Sequence, residues 1–241
     1  MAVDESLRRV LLKLSGEALG GQESVGIDPQ VLARTASAIA EIHKLGVQTA
    51  LVIGGGNLFR GATLQEAGFD RVSGDQMGML ATIMNGLAMR EELKKQGVPC
   101  TLMSAYGLPS ITVQYSAALG RELLSSGQAV IVSGGTGSPF FTTDTAAVLR
   151  AVELKCSQVL KATKVDGVYS ADPLKDPSAR RYEYLSFDEV LSLKLKVMDL
   201  TAFALASEHN MPIRVFSMNK PGALARAALG QDEGTVVGSG A

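Results

Sequence analysis

Three short stretches of the chain set glycine beside polar and charged residues: Lys13-Leu14-Ser15-Gly16-Glu17, then Gly54-Gly55-Gly56-Asn57 followed by Arg60-Gly61, and finally Gly134-Gly135-Thr136-Gly137. Glycine at such turns lets backbone N–H groups approach a phosphate closely, and the positive end of a following helix adds a favourable field. Two glycine loops suit two phosphate groups, although tight turns also need glycine for conformational reasons alone. Lys13 lies inside an apolar run, where an unpaired ammonium is costly to bury. It either forms a structural ion pair, with Asp144 or Asp199 as partner, or meets a phosphate during transfer. Arg60 offers a planar fork that clamps phosphate oxygens, the alternative being a solvated surface arginine. Phosphoryl transfer asks chiefly for positioning and charge neutralisation, so cations and backbone donors are the parts it needs.

Commoner nucleotide fingerprints are broken in this chain. Gly56 and Gly61 have the spacing of a P-loop, but Ala62 and Thr63 stand where Lys and Ser/Thr are required. Gly135-Thr136-Gly137 begins like a dinucleotide fingerprint, but Phe140 occupies the third glycine position, which disfavours a nicotinamide oxidoreductase. No H-R-D or D-F-G sequence of the eukaryotic-type protein kinases is present.

The remaining polar candidates each have a bland reading beside the chemical one. Thr142 or Thr143 could cap the apolar helical stretch over 146–154, with Asp144 as a first-turn acid, which leaves Pro139-Phe140-Phe141 unexplained. Asp75 could cap a long helix. His43 and His209 fall late in helical stretches and read as structural. Cys100 and Cys156 form no CxxC pair and read as buried thiols, so neither a disulfide framework nor a zinc site is indicated.

The elements that must position these residues are legible in the hydropathy pattern. Apolar runs over 10–14, 47–53, 129–133, 159–163 and 213–216 read as buried strands. Between them, Asp28-Pro29 starts one helix and Ser186-Phe187-Asp188-Glu189 fits a capping box for another. Met77, Leu80, Met84, Leu87 and Leu93 suggest a helix from about residue 73 to about residue 96, its Met-rich stripe serving the core or subunit packing. Residues 166–181, with Pro173 and Pro177, read as a surface loop. Strands alternating with helices along the whole length predict an α/β fold, a three-layer sandwich with a mostly parallel central sheet.

With 241 residues, 46% of them hydrophobic, the chain can bury a substantial core as one domain over 1–241. A net charge of -1, with no run of Lys or Arg longer than two, argues against a long nucleic-acid partner, and 5% aromatics supply few stacking surfaces. No segment approaches the ~20 apolar residues of a membrane helix, and the N-terminus is too short and charged for a signal peptide, so a cytoplasmic location is expected.

Taken together the motifs resemble the amino-acid kinase superfamily, and closely its bacterial UMP kinase branch. The resemblance rests on residues 12–19, 53–61 and 75–82, on Gly135-Thr136-Gly137-Ser138-Pro139-Phe140-Phe141-Thr142-Thr143-Asp144, and on Lys161-Ala162-Thr163-Lys164-Val165-Asp166-Gly167-Val168-Tyr169, in family order over almost the whole chain. It implies transfer of the ATP γ-phosphate to UMP, with Lys13, Arg60 and Asp144 as the catalytic set. Lys13, Ser15, Gly16 and Glu17 would bind ATP, with Gly56 touching its phosphates, Lys13 stabilising the transferred group and Arg60 gripping phosphate between the nucleotides, and Thr163, Tyr169 and Asp172 would hold the adenine nucleoside end. Gly55, Asp75, Thr136, Gly137, Ser138, Pro139, Phe140, Phe141, Thr142 and Thr143 would hold UMP, with Asp75 on the ribose and the backbone near Phe140 reading uracil. Ser138 departs from relatives that carry Asn there, which bears on one hydrogen bond rather than the class. The resemblance further implies Mg2+ carried with ATP, with no direct protein ligands assigned. It also implies a homohexamer activated by GTP and inhibited by UTP, and an ATP-binding part beginning near residue 155. The competing readings are a carboxylate kinase of the glutamate or aspartate type, against which the 139–143 segment argues, and a non-catalytic nucleotide-binding scaffold, against which Lys13, Arg60 and Asp144 argue.

Overall fold

The computed structural model describes residues 9–59, 68–173, 175–195 and 197–239. Among them, nine strands form one sheet: β1 (Arg9–Leu14), β2 (Gln48–Ile53), β3 (Cys100–Ser104), β4 (Val113–Gln114), β5 (Ala129–Ser133), β6 (Gln158–Thr163), β7 (Tyr184–Ser186), β8 (Ile213–Ser217) and β9 (Thr235–Gly238). Their order is β4-β3-β5-β2-β1-β6-β8-β9-β7, with every pairing parallel except β8 with β9. The central strands are apolar on both faces because both are covered by helices, as a parallel sheet requires.

On one face, α1 (Pro29–Lys44), α2 (Arg71–Lys95) and α7 (Ala223–Ala228) pack against Val10, Leu12, Leu51, Ile53 and Leu160. On the other, α3 (Ala117–Ser125), α4 (Thr143–Glu153), α5 (Phe187–Ser192) and α6 (Leu200–Glu208) pack against Leu11, Val52, Val132 and Val159. The three-layer α/β/α sandwich expected from the alternation of elements is thus observed. The five expected strands all form, within a residue or two of their expected ends. Residues 166–181 are turns and bends with one bridge between Tyr169 and Arg181.

Local signals explain most helix starts. Asp28 accepts from the backbone N–H groups of Gln30 and Val31, ahead of Pro29 at the first helical position. Ser186 and Glu189 form the expected capping box. The long helix starts at Arg71, capped by Asp70 through the Ser73 N–H, so Asp75 is not its cap. Of the expected stripe, Leu93 is buried and Leu87 packs against the core, which leaves the exposed Met77, Leu80 and Met84 to the subunit-packing alternative; Met79, Ile83 and Met89 are buried as well. The helix is apolar on more than one side, so spacing alone could not say which stripe faces inward.

Sheet order puts β1 between β2 and β6, and the chain leaves β1 toward β2 but leaves β6 toward the other side, so connections diverge at the β1–β6 junction, where such sheets open a crevice. Gly16 joins the loops on one side of that crevice. A Cβ there would lie 2.6 Å from the Gly54 carbonyl and 2.7 Å from the Gly56 nitrogen, both backbone atoms that cannot swing away. Gly16→Ala should therefore destabilise by about 2 kcal/mol or more, since overpacking of this kind typically costs 1–3 kcal/mol. A urea midpoint equal to the parent's would show that the two loops are not locked at this point.

Candidate active site

The crevice is built around one carboxylate. Lys13 on β1 and Lys161 on β6 are register partners on adjacent parallel strands, so both side chains leave the same face of the sheet. Asp144, in the first turn of α4, stands between them. Its Oδ1 lies 2.7 Å from Lys13 Nζ and its Oδ2 lies 2.7 Å from Lys161 Nζ. Lys161 Nζ also donates to the Val197 carbonyl at 2.6 Å. Lys13 is 7% exposed, so a salt bridge in so dry a setting persists only because both ammoniums are answered by the same acid. Burial alone would raise the Asp144 carboxyl, but the two lysines outweigh it and hold its pKa below the usual aspartate value. Burial draws the Lys161 ammonium below the ordinary lysine range, with Asp144 pulling the other way. Two lysines and one aspartate leave a net positive charge at the strand ends, which suits an anionic ligand.

The structural ion pair weighed for Lys13 is therefore present, with Asp144 rather than Asp199. It does not displace the chemical reading, because an ammonium has three donors. Asp199 has a different task. It caps α6 through the Thr201 and Ala202 N–H groups, and it accepts from the hydroxyls of Thr142 and Thr145. Thr142 in turn caps α4, so the bland reading of that threonine holds and a second acid locks it in place.

The glycine loops meet at the same end. The reciprocal amide pair of Asn57 and Asn85 (2.7 and 3.1 Å) holds the loop after β2, with Asn85 donating to the Gly54 carbonyl and Asn57 to that of Gly26. A Cβ on Gly54 would lie 3.4 Å from the Thr143 hydroxyl, and one on Gly56 3.7 Å from Glu17 Cγ, so Glu17, Gly54, Gly56 and Thr143 are close together. Ser15 caps the short 3-10 turn Gly16–Leu19 without a side-chain hydrogen bond. Gly55 is tied to α2, where an added Cβ would come within 2.7 Å of the Gly78 carbonyl. That packing alone requires glycine at 55.

The third loop is pinned from two sides. Thr82 accepts from the Gly134 N–H at 2.8 Å, and Asp75 accepts from the Phe140 N–H at 2.8 Å. Phe140 has a φ of 71°, unusual for a bulky residue, and its ring is 65% exposed with the Arg71 guanidinium 5.7 Å from its centroid. Thr136 accepts from the Ser138 N–H, closing a small turn before Pro139, and Phe141 is also exposed. Asp75 therefore reaches the segment that contains Gly137, Ser138 and Phe140.

Thr163 ends β6 two residues beyond Lys161 and donates to the Val165 carbonyl at 2.5 Å. In the loop that follows, Tyr169 donates to Asp166 at 2.6 Å and Asp172 forms a 3.8 Å ion pair with Lys175. Arg60 lies outside the described residues. His43 sits in the last turn of α1 and His209 caps the end of α6, both away from the crevice. Cys156 is buried and Cys100 partly so, with burial pushing both thiols up to about 12. The functional candidate that sequence reasoning passed over is Lys161. Its signal was the one that marked Lys13, a lysine within the apolar run Val159-Leu160-Lys161-Ala162.

Because the folded pKa of Asp144 is depressed, its stabilising effect is present above the unfolded aspartate value of about 4 and is lost as pH falls through the lower folded value. Asp144→Asn strands two buried ammoniums and should cost about 3 kcal/mol near neutrality, the scale of a broken buried pair. The gap in urea midpoint between parent and variant should narrow as the pH approaches that acid range. A gap constant with pH would mean that the carboxylate does not carry the charge of the cluster.

Residues 8–217 match the model of the amino acid kinase family. A protein named uridylate kinase from Colwellia psychrerythraea is 62% identical over 230 residues, covering 95% of this chain and 93% of the relative. A uridylate kinase from Pseudomonas aeruginosa PAO1 is 58% identical over 233 residues, covering 97% and 95%. The crystal structure of UMP kinase from Bacillus anthracis superposes with a TM-score of 0.94 at 37% identity, covering 97% of both chains. A strand-end lysine pair bridged by an aspartate, set beside glycine loops on this sheet, is accordingly found in a chain that belongs to the amino acid kinase family.

Proposed function

We propose that the chain is a UMP kinase, transferring the γ-phosphate of ATP to UMP and giving UDP and ADP for pyrimidine nucleotide synthesis. The observation that carries the reading is the buried Lys13–Asp144–Lys161 cluster at the carboxyl ends of β1 and β6, combined with relatives of that name at 57–62% identity. Asp144 holds the two ammoniums together at the strand ends. There they would neutralise charge on the phosphoryl group as it moves, with no reorganisation needed during transfer. Ser15, Gly16 and Glu17 would bind ATP with Gly56 touching its phosphates, and Thr163, Tyr169 and Asp172 would take the nucleoside end. Gly55, Asp75 and residues 136–143 would hold UMP, with Arg60 gripping phosphate between the two nucleotides.

In this reading one kinase domain spans 1–241, with its ATP-binding part beginning near residue 155. Magnesium would arrive with ATP. Asp144 lies between the two lysines, Asp199 caps a helix and accepts from two threonines, and no step is assigned to a protein-held ion. Among the described residues no helix is long and apolar enough to cross a membrane, and the proposed location is the cytoplasm.

A coupled assay with ATP and magnesium, offering UMP, CMP, dUMP, glutamate and aspartate in turn, should show strong preference for UMP. Turnover of glutamate or aspartate instead would transfer the chain to the carboxylate kinases, and no turnover would favour a binding scaffold. The same proposal includes a homohexamer activated by GTP and inhibited by UTP. The exposed Met77, Leu80 and Met84 on α2 give assembly an apolar face. Light scattering should return about six times the 25.3 kDa chain mass, and a monomer, or rates indifferent to GTP and UTP, would remove that part of the reading.

A further inference from the structure

Arg150, on α4, is only 5% exposed, and its guanidinium is surrounded by partners that the transfer chemistry does not explain. Nη2 donates to the carbonyls of Gly135 and Thr136, each at 3.2 Å. Nη1 donates to Glu153 Oε2 at 2.7 Å, and the guanidinium carbon lies 4.1 Å from the centroid of the Tyr115 ring. The Tyr115 hydroxyl donates to the same Glu153 oxygen at 2.7 Å, while Arg121 donates to the Glu153 carbonyl at 2.6 Å. Burial, then the bond to Glu153, raises the tyrosine pKa, so that hydroxyl stays a donor.

A buried arginine with an acid on one side, an aromatic face stacked on it and two backbone carbonyls beyond is a fork with little freedom to move. The loop it grips needs such a fork. Gly134, Gly135 and Gly137 all have positive φ, at 77°, 60° and 87°, so the peptide planes there have many alternatives. Drawing the Gly135 carbonyl onto Arg150 turns the Thr136 N–H, trans to it in the same peptide plane, away from the guanidinium. Arg150 and Asp144 share one helix, so the fork also ties the loop to the lysine cluster.

We propose that Arg150, held by Glu153 and Tyr115, is the positioning residue that sets the backbone of residues 134–137 for the phosphate acceptor. This rests on the assignment of residues 136–143 to UMP given above. Arg150 touches neither nucleotide, and acts through the loop.

The test is a split of Michaelis constants in Arg150→Lys, which keeps the charge but loses the fork, and in Glu153→Gln, which keeps the shape but loses the ion pair. Arg150→Lys should raise KM for UMP by about tenfold or more, with KM for ATP within about twofold of the parent, as expected when a binding surface is misplaced by a fraction of an ångström. Glu153→Gln should shift in the same direction by a smaller factor, and it is the variant to read if Arg150→Lys does not fold. A rise in KM for ATP alone would show that the loop serves the donor, overturning the acceptor assignment itself. Unchanged constants in folded protein would overturn the role of Arg150 and leave that assignment standing. Equal rises in both constants would show a merely structural arginine and also overturn the proposal.

Discussion

Everything at the strand ends depends on one acid satisfying two lysines. Without Asp144, Lys13 and Lys161 would be two ammoniums on adjacent strands in one largely buried space, and repulsion plus desolvation would drive one to deprotonate or the strands to part. With it, the cluster keeps a net positive charge in a low-dielectric setting, which is a costly arrangement for stability and a useful one for an anionic reactant. The rest of the fold supports that compromise. Parallel pairing fixes the lysines in register, the Thr142 cap fixes where α4 begins and so where Asp144 stands, and Asp199 fixes Thr142 while starting α6.

Close backbone packing supplies the second constraint. Gly16 lets the loops after β1 and β2 touch, Gly55 lets α2 approach the sheet end, and the Asn57–Asn85 pair satisfies carbonyls that these approaches leave buried. These glycines are needed for packing whether or not a phosphate is bound. The glycine-rich sequences are therefore better evidence for the shape of the crevice than for any one ligand contact, and the lysine cluster carries more of the chemical inference.

Much of this was legible in the sequence. β1, β2, β5, β6 and β8 are central strands largely buried on both faces, so they appear as mostly apolar runs, broken by single charged residues at Lys13, Lys161 and Arg214. The strands that escaped notice have other reasons for forming. β4 has two residues and β7 three, too short for any pattern, and β9 owes its place to antiparallel pairing with β8. β3 begins with the half-buried Cys100 and Thr101, which blur its start. On α2 the spacing leaves open whether the Met-rich stripe serves the core or subunit packing, since a helix with apolar residues on several sides does not declare its buried face. Lys161 was legible by the same logic as Lys13 but was absorbed into a motif, whereas the fork of Arg150 onto a loop fourteen residues upstream is a tertiary fact that no local pattern encodes.

Sharing Asp144 should make Lys13 and Lys161 act as one unit. A double-mutant cycle on the phosphoryl-transfer step, with Lys13→Met, Lys161→Met and both together in single-turnover experiments, tests that directly. Each single variant should lose about a hundredfold or more in rate, and the double variant should lose far less than the product of the two. Losses that multiply, or a single variant that transfers phosphate at the parental rate, would contradict it.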